Sequence, residues 1–201
     1  DMARVVNEEQ RGQRKQQILE AACRCLQKKS YAVLTIRDVA NEAGVATGLV
    51  HYYFSGKEAL LRETAVFVTR YYENVMLEEL DQISAPFTPK TLMQFFRHYH
   101  ERIYSENDRC NIHVLFELGT FSHFDAPLSE ALRSRDYTDH VSEKFKSLLP
   151  AHIDGTRFYQ YLITYMEGIN VMVCLYGYDY KEILAYSETL LAAVLPTFGI
   201  E

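Results

Sequence analysis

Apolar residues along this chain recur every three or four positions, and no stretch alternates apolar with polar over the length of a strand. Residues 14–28 carry Ile18, Leu19, Ala22, Cys25 and Leu26 at helical spacing. After "KKSYAVL", Thr35 opens a short second helix. Asp38 stands three residues on, so hydroxyl and carboxylate can each satisfy an orphan backbone N–H. Ile36, Val39, Ala40 and Ala43 form its apolar stripe, and Gly44 follows where a left-handed cap is wanted. A third helix is predicted from about Thr47 to Tyr53. Ser55 with Glu58 makes another capping box and opens a long fourth helix, over about 56–80.

"SAPFTP" is the clearest linker, and Thr88 followed by Pro89 is a strong start for the next helix. Longer helical segments follow near 89–105, 110–122, 126–149, 154–177 and 180–197. They are separated by "SENDR", "SHFD", "LPAHID" and "YGYD", with Asp125, Asp154 and Asp179 placed as N-caps. No internal repeat or low-complexity tract occurs. The predicted fold is all-α, with three short N-terminal helices ahead of a larger helical body. The boundary falls near 57: residues 1–57 form the first domain, with an arm over 1–13, and 58–201 the second.

Composition changes this picture in one respect. The net charge of −6 over 201 residues argues by itself against a nucleic-acid partner. Its distribution does not: residues 1–57 hold nine Lys and Arg against six Asp and Glu, a net of +3, while the remainder carries −9. A basic first quarter on an acidic body is an asymmetry that a function must explain. No run approaches the roughly 18 apolar residues of a membrane span, and the N-terminal stretch lacks a signal-peptide core, which predicts an intracellular protein without a membrane partner. Cys23, Cys25, Cys110 and Cys174 contain no C-x-x-C pair and sit in apolar helical patterns, as reduced core thiols do; a redox-sensing pair is the alternative.

Residues 35–54, a short helix, a glycine turn and a second short helix, have the layout of a DNA-binding helix-turn-helix. Val39, Ala40, Val45, Val50 and Phe54 then face a small core shared with the first helix. Thr47, Gly48, Leu49, His51, Tyr52 and Tyr53 are left on the other face. Gly48 keeps the helix thin against a groove floor, while threonine methyl and leucine can touch thymine methyl groups. Tyr53 and His51 suit phosphate contacts. Lys57 lies in the first turn of the fourth helix, where a cation and unpaired N–H groups together favour a phosphate oxygen. Thr35 and Arg37, beside Ile36, can hold the backbone from the second helix.

The stretch "ILEAACRCLQKKSYAVLTIRDVANEAGVATGLVHYYFSGKEALL" resembles the N-terminal domain of the TetR family of bacterial transcriptional regulators. The matching positions are Ile18, Leu19, Ala21, Ala22, Thr35, Ile36, Val39, Ala40, Ala43, Gly44, Val45, Gly48, Tyr53, Phe54, Lys57 and Leu60. The resemblance implies a homodimer binding double-stranded DNA at an inverted-repeat operator, with a helical C-terminal domain that binds a small effector and dimerises. Two positions depart. Ala46 replaces the family's usual serine, so an N-cap worth about 1 kcal/mol is missing or moved to Thr47; His51 stands where a tyrosine is usual.

In the body, the segment 154–177 is apolar almost all round and must be covered on both sides. With the last helix it offers Met172, Cys174, Ile183, Ser187, Leu190, Leu191 and Val194 for a four-helix dimer interface, although the same periodicity also fits an intramolecular core. Candidate effector contacts come from three segments: Phe95, Tyr99 and Ile103; Phe116, Glu117 and Thr120; Tyr165, Met166, Ile169 and Asn170. Fifteen tyrosines on an acidic body point to a positively charged or amphipathic organic effector. His98 and His100 diverge on their helix and no cysteine closes a metal site. No catalytic motif, phosphate-binding glycine loop or cofactor signature occurs. The sequence therefore predicts a one-component regulator, a repressor first and an activator or dual regulator second. An effector-binding dimer with weak DNA contacts is the rival from another class.

Overall fold

The computed structural model describes residues 2–84, 86–105, 112–123, 125–132 and 136–200. Its described elements are helical: α1 (Met2–Leu26), α2 (Ile36–Ala43), α3 (Thr47–Tyr53), α4 (Lys57–Asp81), α5 (Pro89–Ile103), α6 (Ile112–Ser122), α7 (Ala126–Leu132), α8 (Asp136–Leu148), α9 (Gly155–Cys174) and α10 (Tyr180–Val194), then a 3₁₀ turn over Leu195–Phe198. The expected arm over 1–13 is corrected. From Met2 onward it is the first half of α1, which needs no cap or breaker to continue upstream of Ile18. The single helix expected over 126–149 is seen as α7 and α8 on either side of 133–135, which lie outside the described residues, as does Cys110. No helix among the described residues is long and apolar enough to cross a membrane.

The chain forms two compact units. The first comprises residues 1–70 and 109–133. Its core gathers Ile18, Ala21 and Ala22 of α1, Val39 and Ala40 of α2, Val50 of α3, Phe54, and Leu60, Leu61 and Ala65 of α4, all buried. The Thr35 hydroxyl accepts the N–H of Asp38 at 3.1 Å while the Asp38 carboxylate accepts that of Thr35 at 2.9 Å, closing the capping box that starts α2. Lys29, 2.6 Å from the carboxylate, and then the Thr35 donors of the box hold the Asp38 pKa down at about 2. Side chains of α1 reach across to α2: Gln17 donates to the Ala43 carbonyl at 2.9 Å, and Arg24 pairs with Glu42 at 2.7 Å. On α6, Val114 and Leu118 are buried, and Glu117 accepts the backbone N–H of Tyr31 at 2.7 Å.

The second unit holds residues 71–108 and 134–201. Thr88 and Thr91 close the capping box of α5, with Pro89 at its first position. Asp154 and Asp179 cap α9 and α10 by accepting two backbone N–H groups each. The core is aromatic: Phe95, Phe96, Phe145 and Phe158 are fully buried, and Phe145 stands edge-on to Phe95 at 5.2 Å between centroids. Arg97 of α5 grips Glu188 of α10 through two 2.7 Å hydrogen bonds. The Tyr165 hydroxyl donates to the Ser187 carbonyl, joining α9 to α10.

His100 is buried in this core. Its Nδ1–H donates to the Phe96 carbonyl at 2.7 Å, and burial holds its pKa down at about 4. The folded chain therefore keeps the imidazole neutral where the unfolded chain, with the ordinary value near 6.5, takes up a proton. Stability contributed by this group is present above about pH 6.5 and is lost as pH falls towards 4. Urea midpoints measured between pH 7 and 4.5 should accordingly fall less in a His100→Phe variant than in the parent chain. Equal falls would show that His100 has no part in the acid sensitivity.

Candidate nucleic-acid interface

The turn between α2 and α3 is built by hydrogen bonds that only a left-handed residue allows. Gly44 sits at φ 66°, ψ 35°. Its N–H donates to the Asn41 carbonyl at 3.2 Å, and that of Val45 to the Ala40 carbonyl at 2.9 Å. This is the 5→2 and 6→1 pair of a Schellman cap, which ends α2 and redirects the chain at once. Ala46 then occupies the N-cap of α3 with no side-chain hydrogen bond to offer.

Seven residues of α3 divide by face. Val50 is fully buried and Phe54, just past the helix, is 2% exposed, so this edge is pinned to the core. Thr47, Gly48, His51 and Tyr52 are exposed, and Leu49 and Tyr53 are half-buried. Tyr52, 62% exposed, stands edge-on to Tyr53 at 5.1 Å. Of the predicted face, Thr47, Gly48, His51 and Tyr52 are open, while Leu49 and Tyr53 also line a groove beside α1. Among the second-helix candidates, Arg37 is exposed and Ile36 half-buried, but the Thr35 hydroxyl is committed to the capping box. Lys57 donates to the Ala32 carbonyl at 3.2 Å and lies 5.1 Å from the Tyr31 ring centroid, which ties the start of α4 to the loop before α2.

Ion pairing sorts the cations of this unit into two groups. Lys15, Arg24, Lys28, Lys29 and Arg62 each face a carboxylate. Among the described residues no carboxylate lies at ion-pair distance from Arg11, Arg14, Arg37 or Lys57. The last two were legible from their helix-turn-helix positions. Arg11 and Arg14 were not: Arg11 falls in the stretch that reads as an arm, and Arg14 opens the predicted first helix ahead of its apolar stripe. Extending the α1 register upstream places Gln10, Gln13, Arg14 and Gln17 three or four residues apart, the signal that would have found them. A groove of 640 Å³ separates these residues from Leu49, Tyr52 and Tyr53 of α3.

The other predicted sites are placed as follows. Phe95, Tyr99, Ile103, Met166, Ile169 and Asn170 are buried in the second unit, where the Tyr104 hydroxyl donates to Asn170 at 2.5 Å and Tyr165 is half-buried. Phe116, Glu117 and Thr120 belong to the first unit. Glu117 is engaged by the Tyr31 N–H, and Thr120 is exposed with its hydroxyl turned back onto the Phe116 carbonyl. Of the residues proposed for an interface, Met172, Cys174, Ile183 and Val194 are half-buried and Leu190 is 54% exposed. Leu191 is a correction: with no exposed surface it fills its own chain's core, and Ser187 is nearly as buried. A shallow apolar groove of 350 Å³ runs over Tyr161, Tyr165, Gly168, Met172 and Ile183.

A helix-turn-helix with an exposed second helix and unpaired cations beside it defines a DNA-binding regulator. Residues 18–64 match the family model described as "Bacterial regulatory proteins, tetR family". The HTH-type transcriptional regulator BetI of Vibrio campbellii is 27% identical over 68% of either chain. Two solved structures share the fold: a TetR transcription regulator from Haloarcula marismortui, with a TM-score of 0.69 and 18% identity over 93% of this chain and 98% of that one, and the multidrug binding protein EbrR complexed with ethidium, with a TM-score of 0.62 and 25% identity over 90% and 98%. Residues 18–64 are thus a tetR-family DNA-binding domain, in a chain that is similar to an HTH-type transcriptional regulator over about two thirds of its length.

Proposed function

We propose that this chain is a cytoplasmic one-component repressor that binds an inverted-repeat operator as a homodimer, joins the nucleoid when bound, and leaves the DNA when a small organic effector binds. The observation that carries the DNA half is the exposed α3 face flanked by cations without carboxylate partners. Thr47 and Tyr52, both exposed, and the half-buried Leu49 are assigned to base reading, with Gly48 allowing close approach and Ala46 at the entry. Tyr53, His51, Arg37 and Lys57 are assigned to the phosphates, beside Ile36 and the capping Thr35. Lys57→Ala should weaken binding alike on all duplexes and reduce the salt slope by roughly one unit. Thr47→Ala should instead alter the sequences selected from a random duplex pool. Unchanged affinity and slope in Lys57→Ala would remove α4 from the DNA backbone. No salt-dependent binding by the parent chain would favour the rival reading, an effector-binding dimer without strong DNA contacts.

The α9–α10 face supports the dimer. Ile183, Leu190 and Val194 lie on α10 beside Tyr186, which is 76% exposed, and Met172 and Cys174 lie on α9. An apolar surface of this kind is a reason for self-association, and C2 symmetry brings the same face from both copies together. Leu190→Glu places a charge on that face without touching the protomer's core, so sedimentation should shift from dimer to monomer. An unaltered dimer would place the interface elsewhere.

For the effector we infer a largely apolar organic cation, received among Phe95, Tyr99 and Ile103 of α5 and Tyr165, Met166, Ile169 and Asn170 of α9. Tyrosine-rich, acidic surroundings favour a cation through ring faces, and ethidium, bound in the similar EbrR structure, is an aromatic cation. Coupling to DNA requires the effector to favour the released form, by about 1–3 kcal/mol in systems of this type. Thermal-shift screening should find stabilisation by aromatic cations and lowered operator affinity in their presence. Stabilisation by anions alone would overturn the cationic assignment.

A further inference from the structure

The α1 wall of the groove between α1 and α3 is not absorbed by the contacts assigned above. Gln10, Arg11, Gln13, Arg14 and Gln17 form one wall, and Leu49, Tyr52 and Tyr53 the other. No carboxylate lines it. Guanidinium, amide and phenol groups give the groove a dense set of hydrogen-bond donors with two fixed positive charges.

Arg11 is tied to the helix-turn-helix directly and Arg14 through Gln17. Arg11 lies 5.3 Å from the centroid of the Tyr52 ring, the exposed aromatic of α3. Arg14 donates to the Gln17 side-chain oxygen at 2.8 Å, and Gln17 in turn donates to the Ala43 carbonyl at the end of α2 at 2.9 Å. Neither partner is an anion, so both positive charges remain uncompensated while their positions are set. Lys15, between them in sequence, is spent on Glu63 of α4.

We infer that this groove is a second phosphodiester site, in which Arg11 and Arg14 hold the sugar–phosphate backbone flanking the base pairs that α3 faces. The inference rests on the DNA-binding reading and extends it to a helix that the helix-turn-helix does not include. Arg11 and Arg14 contact phosphate oxygens through guanidinium N–H groups, the strongest donors for that acceptor. Gln17 is a positioning residue that acts through Arg14. From Gln10 to Gln17 the wall is roughly 10 Å long at ~1.5 Å per residue. That length matches about three base-pair steps of ~3.4 Å. The site therefore lengthens the footprint on each half-site without reading its sequence.

The test is salt-dependent anisotropy on a mixed-sequence duplex, which needs no knowledge of the operator, with helicity checked by circular dichroism. The double variant Arg11→Ala, Arg14→Ala should reduce the log–log salt slope by roughly two units, against roughly one for Lys57→Ala. Two further variants separate a local site from overall charge. Gln13→Glu places a carboxylate in the groove, whereas Gln16→Glu makes the same change in net charge outside it; only the first should lower affinity several-fold. On an operator selected from a random duplex pool, hydroxyl-radical footprints of the double variant should shorten by two to three nucleotides per half-site. An unchanged slope and footprint in the double variant, with Lys57→Ala still reducing the slope, overturns the groove while leaving the DNA reading intact. Equal losses from Gln13→Glu and Gln16→Glu would also overturn it, by assigning the effect to net charge. A parent chain that binds no duplex overturns both.

Discussion

Gly44 passes through the left-handed region with two backbone hydrogen bonds closed behind it, and the orientation of α3 follows from that turn. A side chain at this position would hold φ near +66° only under strain, and a relaxed φ would break the bond from Val45 to Ala40. Without it Val50 and Phe54 would not reach the core they fill, and Tyr52 would not stand where Arg11 covers it. Thr35 and Asp38 secure the opposite end of α2, so the eight-residue helix is closed at both ends by local hydrogen bonds. Short helices are marginal by themselves. Here local closure and the Gln17 and Arg24 links from α1 supply what length does not.

Charge in the first unit is divided by neighbourhood rather than by amount. The cations at 24 on α1 and at 28 and 29 just past its end are neutralised by Glu42 and Asp38 and fasten α1 and the turn after it to α2. Those beside α3 have no such carboxylates. Exposed pairs of this kind contribute little to stability. Their greater effect is on the field: they cancel positive potential where it has no use and leave it along one edge. The net of +3 over residues 1–57 understates this, because it averages over both sides of α1.

Much of this was legible in the sequence, for identifiable reasons. The α2–turn–α3 segment could be read because caps and a left-handed glycine are local signals, set by residues at most five apart. The same holds for Thr88–Pro89, Asp154 and Asp179, each a cap in the structure. Glu117 could not be read. It sits on an apolar helix where a binding role is plausible, yet its partner is a backbone N–H 86 residues earlier. Leu191 shows a different limit. Periodicity locates an apolar stripe but does not say whether the stripe faces its own chain or another, and this residue turned inward while Leu190 stayed out. The early half of α1 was missed because its apolar face only becomes continuous at Ile18, so a polar helix was read as an arm.

The missing cap at Ala46 has a consequence in time rather than in space. α3 is anchored at its far end by Val50 and Phe54, while its first turn has no side chain holding its amides. Opening free energies vary along a fold, and segments with few fixed hydrogen bonds open first. Within one helix of seven residues, amide exchange should run fast at Thr47 and Gly48 and slow towards Phe54. The end proposed to meet the base edges is then the end that rearranges on the shortest timescale. A recognition helix graded in this way can settle onto slightly different half-sites while the frame behind it keeps a single geometry.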